Sequence, residues 1–113
     1  MLFRSQEFGD AEDMTRADAD YFRALVEGVW RHREELDARL ATFTDREPRL
    51  LDPVERAALL IALYELTARA EVPYRVAINE AVALTKRFGA TDGFKFVNAV
   101  LDRAARALRP DEH

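Results

Sequence analysis

Phe94-Lys95-Phe96 holds the residue types in this chain best suited to contact chemistry at a surface. The segment sits at the start of a helical pattern, directly after Thr91-Asp92-Gly93. Phe94 falls on the apolar stripe of that helix. Phe96 points about 200° away around the axis, which sets it exposed or half-exposed beside Lys95. An aromatic ring next to an ammonium near a helix N-terminus can stack a base while the amine and free N–H groups meet phosphate. Packing of Phe96 against its neighbours is the competing reading, and both stand at this level. Asn79 and Asn98 interrupt helices that are otherwise apolar and charged. Asn is a poor helix former because its amide competes for backbone partners. Each reads either as a buried amide tying helices together or as a polar contact to a partner.

The usual devices of catalysis are absent. The sequence has no Gly-rich phosphate loop, no GxSxG, no HExxH and no Cys. His32 lies on an apolar helix stripe, where packing is its commonest role, and His113 is terminal. Glu34, Glu35 and Asp37 alternate with Arg31, Arg33 and Arg39 as on a solvated, ion-paired helix face. The expectation is a protein that is not an enzyme and needs no metal or cofactor.

Helices must position these residues. Tyr21, Leu25, Val29, His32, Leu36, Leu40 and Phe43 recur at steps of three and four and form one face of a helix starting near Asp18. Gly28 inside it costs about 1 kcal/mol relative to Ala, which a kink or a close helix contact would explain. Asp52-Pro53-Val54-Glu55 reads as a strong helix start, with an Asp cap, Pro at the first position and Glu three residues after the cap. The following helix, through Ile61 and Tyr64, is apolar almost all round and belongs at the centre of a bundle; both residues are expected in the core, with Glu55 exposed in the first turn. Pro73 opens the next helix, whose buried stripe is Tyr74, Ala77, Ala81, Leu84 and Phe88, with Gly89 as its terminal glycine. Thr91 or Asp92 caps the last helix, lined inside by Phe94, Val97, Leu101, Ala104 and Leu108 and closed by Pro110. The fold expectation is an all-α bundle. Residues 1–17 read as a loose or atypical segment, 18–110 as the helical domain and 111–113 as a tail.

Composition narrows the function classes. The chain has 113 residues, 49% hydrophobic and 34% charged, which suits one folded domain and excludes a wholly disordered chain. The net charge is −4, but residues 1–52 hold 8 basic and 13 acidic side chains, against 9 and 8 in residues 53–113. A globally basic nucleic-acid binder is not indicated, whereas a local basic face in the second half is possible. No apolar run is long enough to span a membrane, and Met1–Asp13 lacks the apolar core of a signal peptide. A soluble cytoplasmic domain is expected.

Several blocks resemble the bacterial transcription antitermination factor NusB family. They are Asp52-Pro53-Val54-Glu55-Arg56-Ala57, Ile61-Ala62-Leu63-Tyr64-Glu65-Leu66, Val72-Pro73-Tyr74-Arg75-Val76-Ala77-Ile78-Asn79-Glu80-Ala81-Val82, Lys86-Arg87-Phe88-Gly89 and Lys95-Phe96-Val97-Asn98-Ala99-Val100-Leu101-Asp102. Asp20-Tyr21-Phe22-Arg23 and Leu25-Val26-Glu27-Gly28-Val29 are similar to the family's third helix. The similarity runs in order from about Asp18 to Pro110. It implies an all-α, NusB-like helical bundle without catalytic activity. It further implies pairing with ribosomal protein NusE, binding to the boxA element of nascent ribosomal RNA, and action within the transcribing RNA polymerase complex. On this resemblance Lys95, Phe96, Asp92, Arg87 and Phe43 belong to the RNA-facing region, and Glu55, Arg56 and Leu59 to the side that meets NusE.

One departure has physical weight. The family begins with an arginine-rich helix, and residues 1–17 carry only Arg4 and Arg16 as basic residues. The expectation is a NusB-like bundle lacking the first one or two family helices, with RNA binding weakened through lost phosphate contacts. The Tyr21-to-Phe43 stripe would then lack part of its packing partner, which favours self-association. Two rival readings are the NusB-like fragment of a ribosomal RNA cytosine methyltransferase and a helical module that binds protein only.

Overall fold

The computed structural model describes residues 16–112. Among them five α-helices follow in order: α1 Arg16–Arg31, α2 Arg33–Ala41, α3 Pro53–Ala68, α4 Tyr74–Phe88 and α5 Gly93–Leu108. Short 3-10 turns cover Pro48–Leu50 and Pro110–Glu112. No strand occurs among the described residues, so the fold is all-α as expected. The expectation of a loose segment falls mostly on residues 1–15, outside the described residues.

The helix expected from Asp18 to Phe43 is two helices, parted at His32 (φ −107°, ψ 19°). Hydrogen bonding nearly carries through the break, with His32 N donating to Gly28 O at 3.0 Å and Leu36 N to His32 O at 2.9 Å. The stripe therefore stays in register, and Leu25, Leu36 and Leu40 are all buried. The His32 ring lies against Tyr64, with centroids 6.2 Å apart, so its role is packing. The inward stripe packs on α3. A second stripe that periodicity did not single out, Phe22, Val26 and Trp30, is exposed. Asp37 leaves the charged face expected for it and pairs with Arg56 of α3.

α3 is the central helix and touches the other four. Its start is as the sequence implied: the Asp52 carboxylate accepts from Val54 N at 3.1 Å and Glu55 N at 3.2 Å, and Pro53 needs no acceptor. Leu59, Leu63 and Ala62 are fully enclosed. Ile61 and Tyr64, expected in the core, are only half-buried. The Tyr64 ring instead covers Gly28, where a Cβ would lie 2.3 Å from Cζ. Gly28 is thus the close helix contact that its position called for.

α4 buries Ala77, Ile78, Ala81 and Thr85. Phe88 is a correction: it is 58% exposed, because the inward face ends at Thr85. Thr85 satisfies its hydroxyl on Ala81 O at 2.9 Å. Gly89 adopts an extended conformation (φ −92°, ψ −177°) and not a left-handed cap. Its small size is still required, since a Cβ there would meet Thr85 O at 2.7 Å. On α5, Val97, Leu101 and Ala104 are buried as expected. Asn79 and Asn98 are both exposed, which removes the buried-amide reading.

The far end of the bundle is closed by one arginine. Arg109 donates to the carbonyls of Leu66 (2.9 Å), Arg69 (3.0 Å) and Glu65 (3.2 Å), at the C-terminal end of α3. Tyr74 N donates to Glu112 Oε2 at 3.1 Å, so the last described residues are tied to α4. Beside them the Tyr21 hydroxyl donates to the buried Glu65 at 3.0 Å. Burial raises the Glu65 pKa, opposed by the Tyr21 bond and by Arg109 and Arg69.

Candidate nucleic-acid interface

Three segments meet at the N-terminal end of α5. The first is the opening turn of α3. Glu55, expected to be exposed toward a partner, is buried beneath Gly93. A Cβ on Gly93 would lie 2.3 Å from Glu55 Oε2, so a larger residue there would push the Glu55 side chain aside. Burial raises the Glu55 pKa, the nearby Asp52 charge adds to the rise, and Arg46 opposes it. Leu59 is completely buried and offers nothing to a surface. Of the three residues expected on the protein-binding side, Arg56 alone remains partly accessible, in a forked pair with Asp37 that includes Nε to Oδ1 at 3.2 Å.

The second segment is the connection from α2 to α3. Phe43 is half-buried against the core. Its carbonyl accepts from Arg103 of α5, Nε at 3.1 Å and Nη2 at 2.9 Å. Farther along, the guanidinium of Arg46 lies over the Phe96 ring, 3.9 Å from its centroid. Thr44 Oγ1 accepts from Arg46 N at 3.2 Å, and Pro48 is buried. These contacts fix the connection to α5 at two points.

The third segment is the start of α5. Asp92 holds the cap position in a left-handed conformation (φ 64°) that Asp tolerates better than most residues. Its carboxylate makes no cap bond and instead faces Lys95 Nζ at 3.7 Å. Both side chains are largely exposed, so the pair is weak and easily exchanged for another anion. Phe94 and Phe96 divide differently from the helical-wheel reading. Phe96 packs against the core under Arg46, whereas Phe94 is half-buried beneath Lys86, whose Nζ lies 4.8 Å from the ring centroid. Arg87 is exposed on the last turn of α4, which residues 89–92 join to α5.

Asp92 and Lys95 thus pair at the start of α5 and Arg46 covers Phe96 in the first turns, whereas Phe43 is tied through its carbonyl to Arg103, farther along the helix, and Arg87 is exposed on the last turn of α4. Sequence reasoning missed Arg46 and Arg103, which tie the α2–α3 connection to α5. No local pattern marks either arginine; only the tertiary contact does. The arrangement offers cations of both kinds, rings at half-burial and a helix start, a combination suited to single-stranded nucleic acid. Among the described residues no group of three or more acids or histidines could hold a metal ion, and no helix is long and apolar enough to cross a membrane.

Comparison with known proteins agrees with this architecture. The transcription antitermination protein NusB of Methylobacillus flagellatus is 54% identical over 107 residues, covering 95% of this chain and 70% of the relative. That of Bordetella pertussis is 52% identical over 103 residues, covering 91% and 67%. That of Idiomarina loihiensis is 49% identical over 104 residues, covering 92% and 75%. A sequence model of the NusB family matches residues 2–106, a span that takes in all five helices up to the last turn of α5. With the family model matching most of the chain and about half of the aligned residues identical in these relatives, the chain belongs to the NusB family.

Proposed function

We propose that this chain is a non-catalytic transcription antitermination factor that pairs with ribosomal protein NusE and holds boxA-type RNA at the N-terminal end of α5. The observation that supports the reading is the Arg46–Phe96 contact beside the Asp92–Lys95 start of α5 in a NusB-family bundle. Relatives over most of the chain carry the antitermination name. The transcribing polymerase complex is the setting in which the pair acts. Glu55 and Leu59 serve the protein side from within, by setting the position of α3, and Arg56 is the residue of that group left to touch NusE.

Few phosphate contacts are available here, and one stacked base contributes only about 1–3 kcal/mol. Binding of a boxA RNA by the chain alone is therefore weak and salt-sensitive, and NusE strengthens it. Fluorescence anisotropy of a labelled boxA oligonucleotide at two salt concentrations, with and without NusE, tests this. Phe96→Ala removes most of the binding. Tight binding by the chain alone with little salt dependence would place the RNA surface elsewhere.

A further inference from the structure

We infer that Arg46 is itself a base-stacking residue, with a nucleobase of single-stranded RNA lying on the outer face of its guanidinium to extend the stack base–Arg46–Phe96. The inference rests on the RNA reading above and assigns a contact that the sequence did not point to. Phe96 is packed on the core on one side and lies under Arg46 on the other, at 3.9 Å from the ring centroid. A base therefore cannot reach that ring face while the guanidinium is in place. The guanidinium is planar and has two faces, and only one of them is used by Phe96. Arg46 is exposed as a residue, which leaves room for a base beside its guanidinium.

The residue is also held ready. Its loop is anchored by Arg103 on the Phe43 carbonyl, by Thr44 Oγ1 on Arg46 N and by the buried Pro48. Neighbouring cations are engaged otherwise: Lys95 faces Asp92, and Arg56 is forked on Asp37. Among the described residues Arg46 forms no ion pair, although its charge acts on the buried Glu55 carboxyl. A flat cation with one face fixed on an aromatic ring is a platform for a base on the other, and Arg guanidinium planes stack on unpaired bases.

Arg46→Lys separates stacking from charge, because lysine keeps the cation and loses the plane. The full chain is titrated into a fluorescein-labelled single-stranded boxA RNA over a range of salt, and circular dichroism melts verify that each variant folds. Arg46→Lys is expected to weaken binding by about 5- to 150-fold, the range for one lost stacked base. The slope of log K against log salt stays unchanged, since no charge is lost. In a Phe96→Leu background the same substitution costs less, because the platform is already broken. If Arg46→Lys binds like the unaltered chain while Arg46→Ala weakens binding and reduces the slope by about 0.7, Arg46 is a phosphate contact and the inference is overturned. Tighter binding by Arg46→Ala overturns it too, by making the guanidinium a mere cover on Phe96. Arg46 variants without effect, beside a weakened Lys95→Ala, overturn the stack and leave the RNA reading standing. Absence of binding by the unaltered chain overturns both.

Discussion

Gly28→Ala should change sign with the residue opposite it. In an exposed helix interior this substitution stabilises by about 1 kcal/mol, through backbone entropy alone. Here the new methyl would sit 2.3 Å from Tyr64 Cζ, 2.4 Å from its hydroxyl oxygen and 2.8 Å from Cε2. Those contacts are too short to keep, so the ring must move or α1 must lift from α3. Tyr64 is half-buried and also packs on His32, so its movement disturbs a second contact. Forcing a methyl group into a packed contact costs about 1–3 kcal/mol. Subtracting the propensity gain leaves Gly28→Ala destabilising by about 0–2 kcal/mol. In a Tyr64→Ala background the ring is absent and only the propensity term survives, so Gly28→Ala becomes stabilising by about 1 kcal/mol. The interaction energy of the cycle is thus about 1–3 kcal/mol. Urea unfolding of the four proteins, followed by circular dichroism, measures it. If Gly28→Ala stabilises both backgrounds equally, the ring does not press on the glycine and the account of the α1–α3 contact is wrong.

Two further outcomes follow from the α5 end. The Glu55 pKa is raised above its ordinary value of 4.5 chiefly by burial, so the folded state holds the proton more tightly than the unfolded chain does. Its contribution to stability is then fullest below the unfolded value and is lost as pH rises through the folded one. Glu55→Gln, which keeps the shape without the charge, should flatten this loss, so that its advantage in urea melts grows from acidic toward neutral pH; an advantage that shrinks over that range would refute the burial argument. Asp92→Asn should release Lys95 and remove a repelling charge, strengthening boxA RNA binding by a few-fold at low salt, in keeping with about 0–1 kcal/mol for an exposed pair. Anisotropy titrations would show unchanged affinity if Lys95 points away from the phosphates.

The parts of the fold legible in the sequence are those decided within a few residues. The Asp52-Pro53 start of α3 is a local matter of cap and missing donor, and it forms as read. Gly28 announced a close approach because glycine inside a helix needs a reason, and Tyr64 supplies it. The break at His32 was not legible, since the apolar period runs through it undisturbed. Nor was the direction of Glu55. A glutamate in a first helical turn ordinarily faces solvent, and here it turns inward because Gly93, far along the chain, leaves room. The candidate site divides the same way. Lys95 and Phe96 stood out by type and by resemblance. What covers Phe96 depends on a loop from another part of the chain, so helical geometry left open which of the two half-buried phenylalanines of α5 packs on the core, and it is Phe96 that does.

The Arg109 clasp has a consequence for the order in which the chain takes shape during translation. Synthesis is vectorial, at about 5–20 residues per second. Helix α3 is complete in sequence at Ala68, and Glu65 O and Arg69 O soon accept from Arg69 N and Val72 N, but the Leu66 carbonyl and the second bond of the other two take their donor from an arginine that the ribosome adds only after α4 and α5. For several seconds the end of the central helix lacks that guanidinium, and water serves the Leu66 carbonyl. The end of α3 is therefore closed late, by Arg109 with Glu112 behind it, and a chain ended before Arg109 would carry α1 to α5 without that latch.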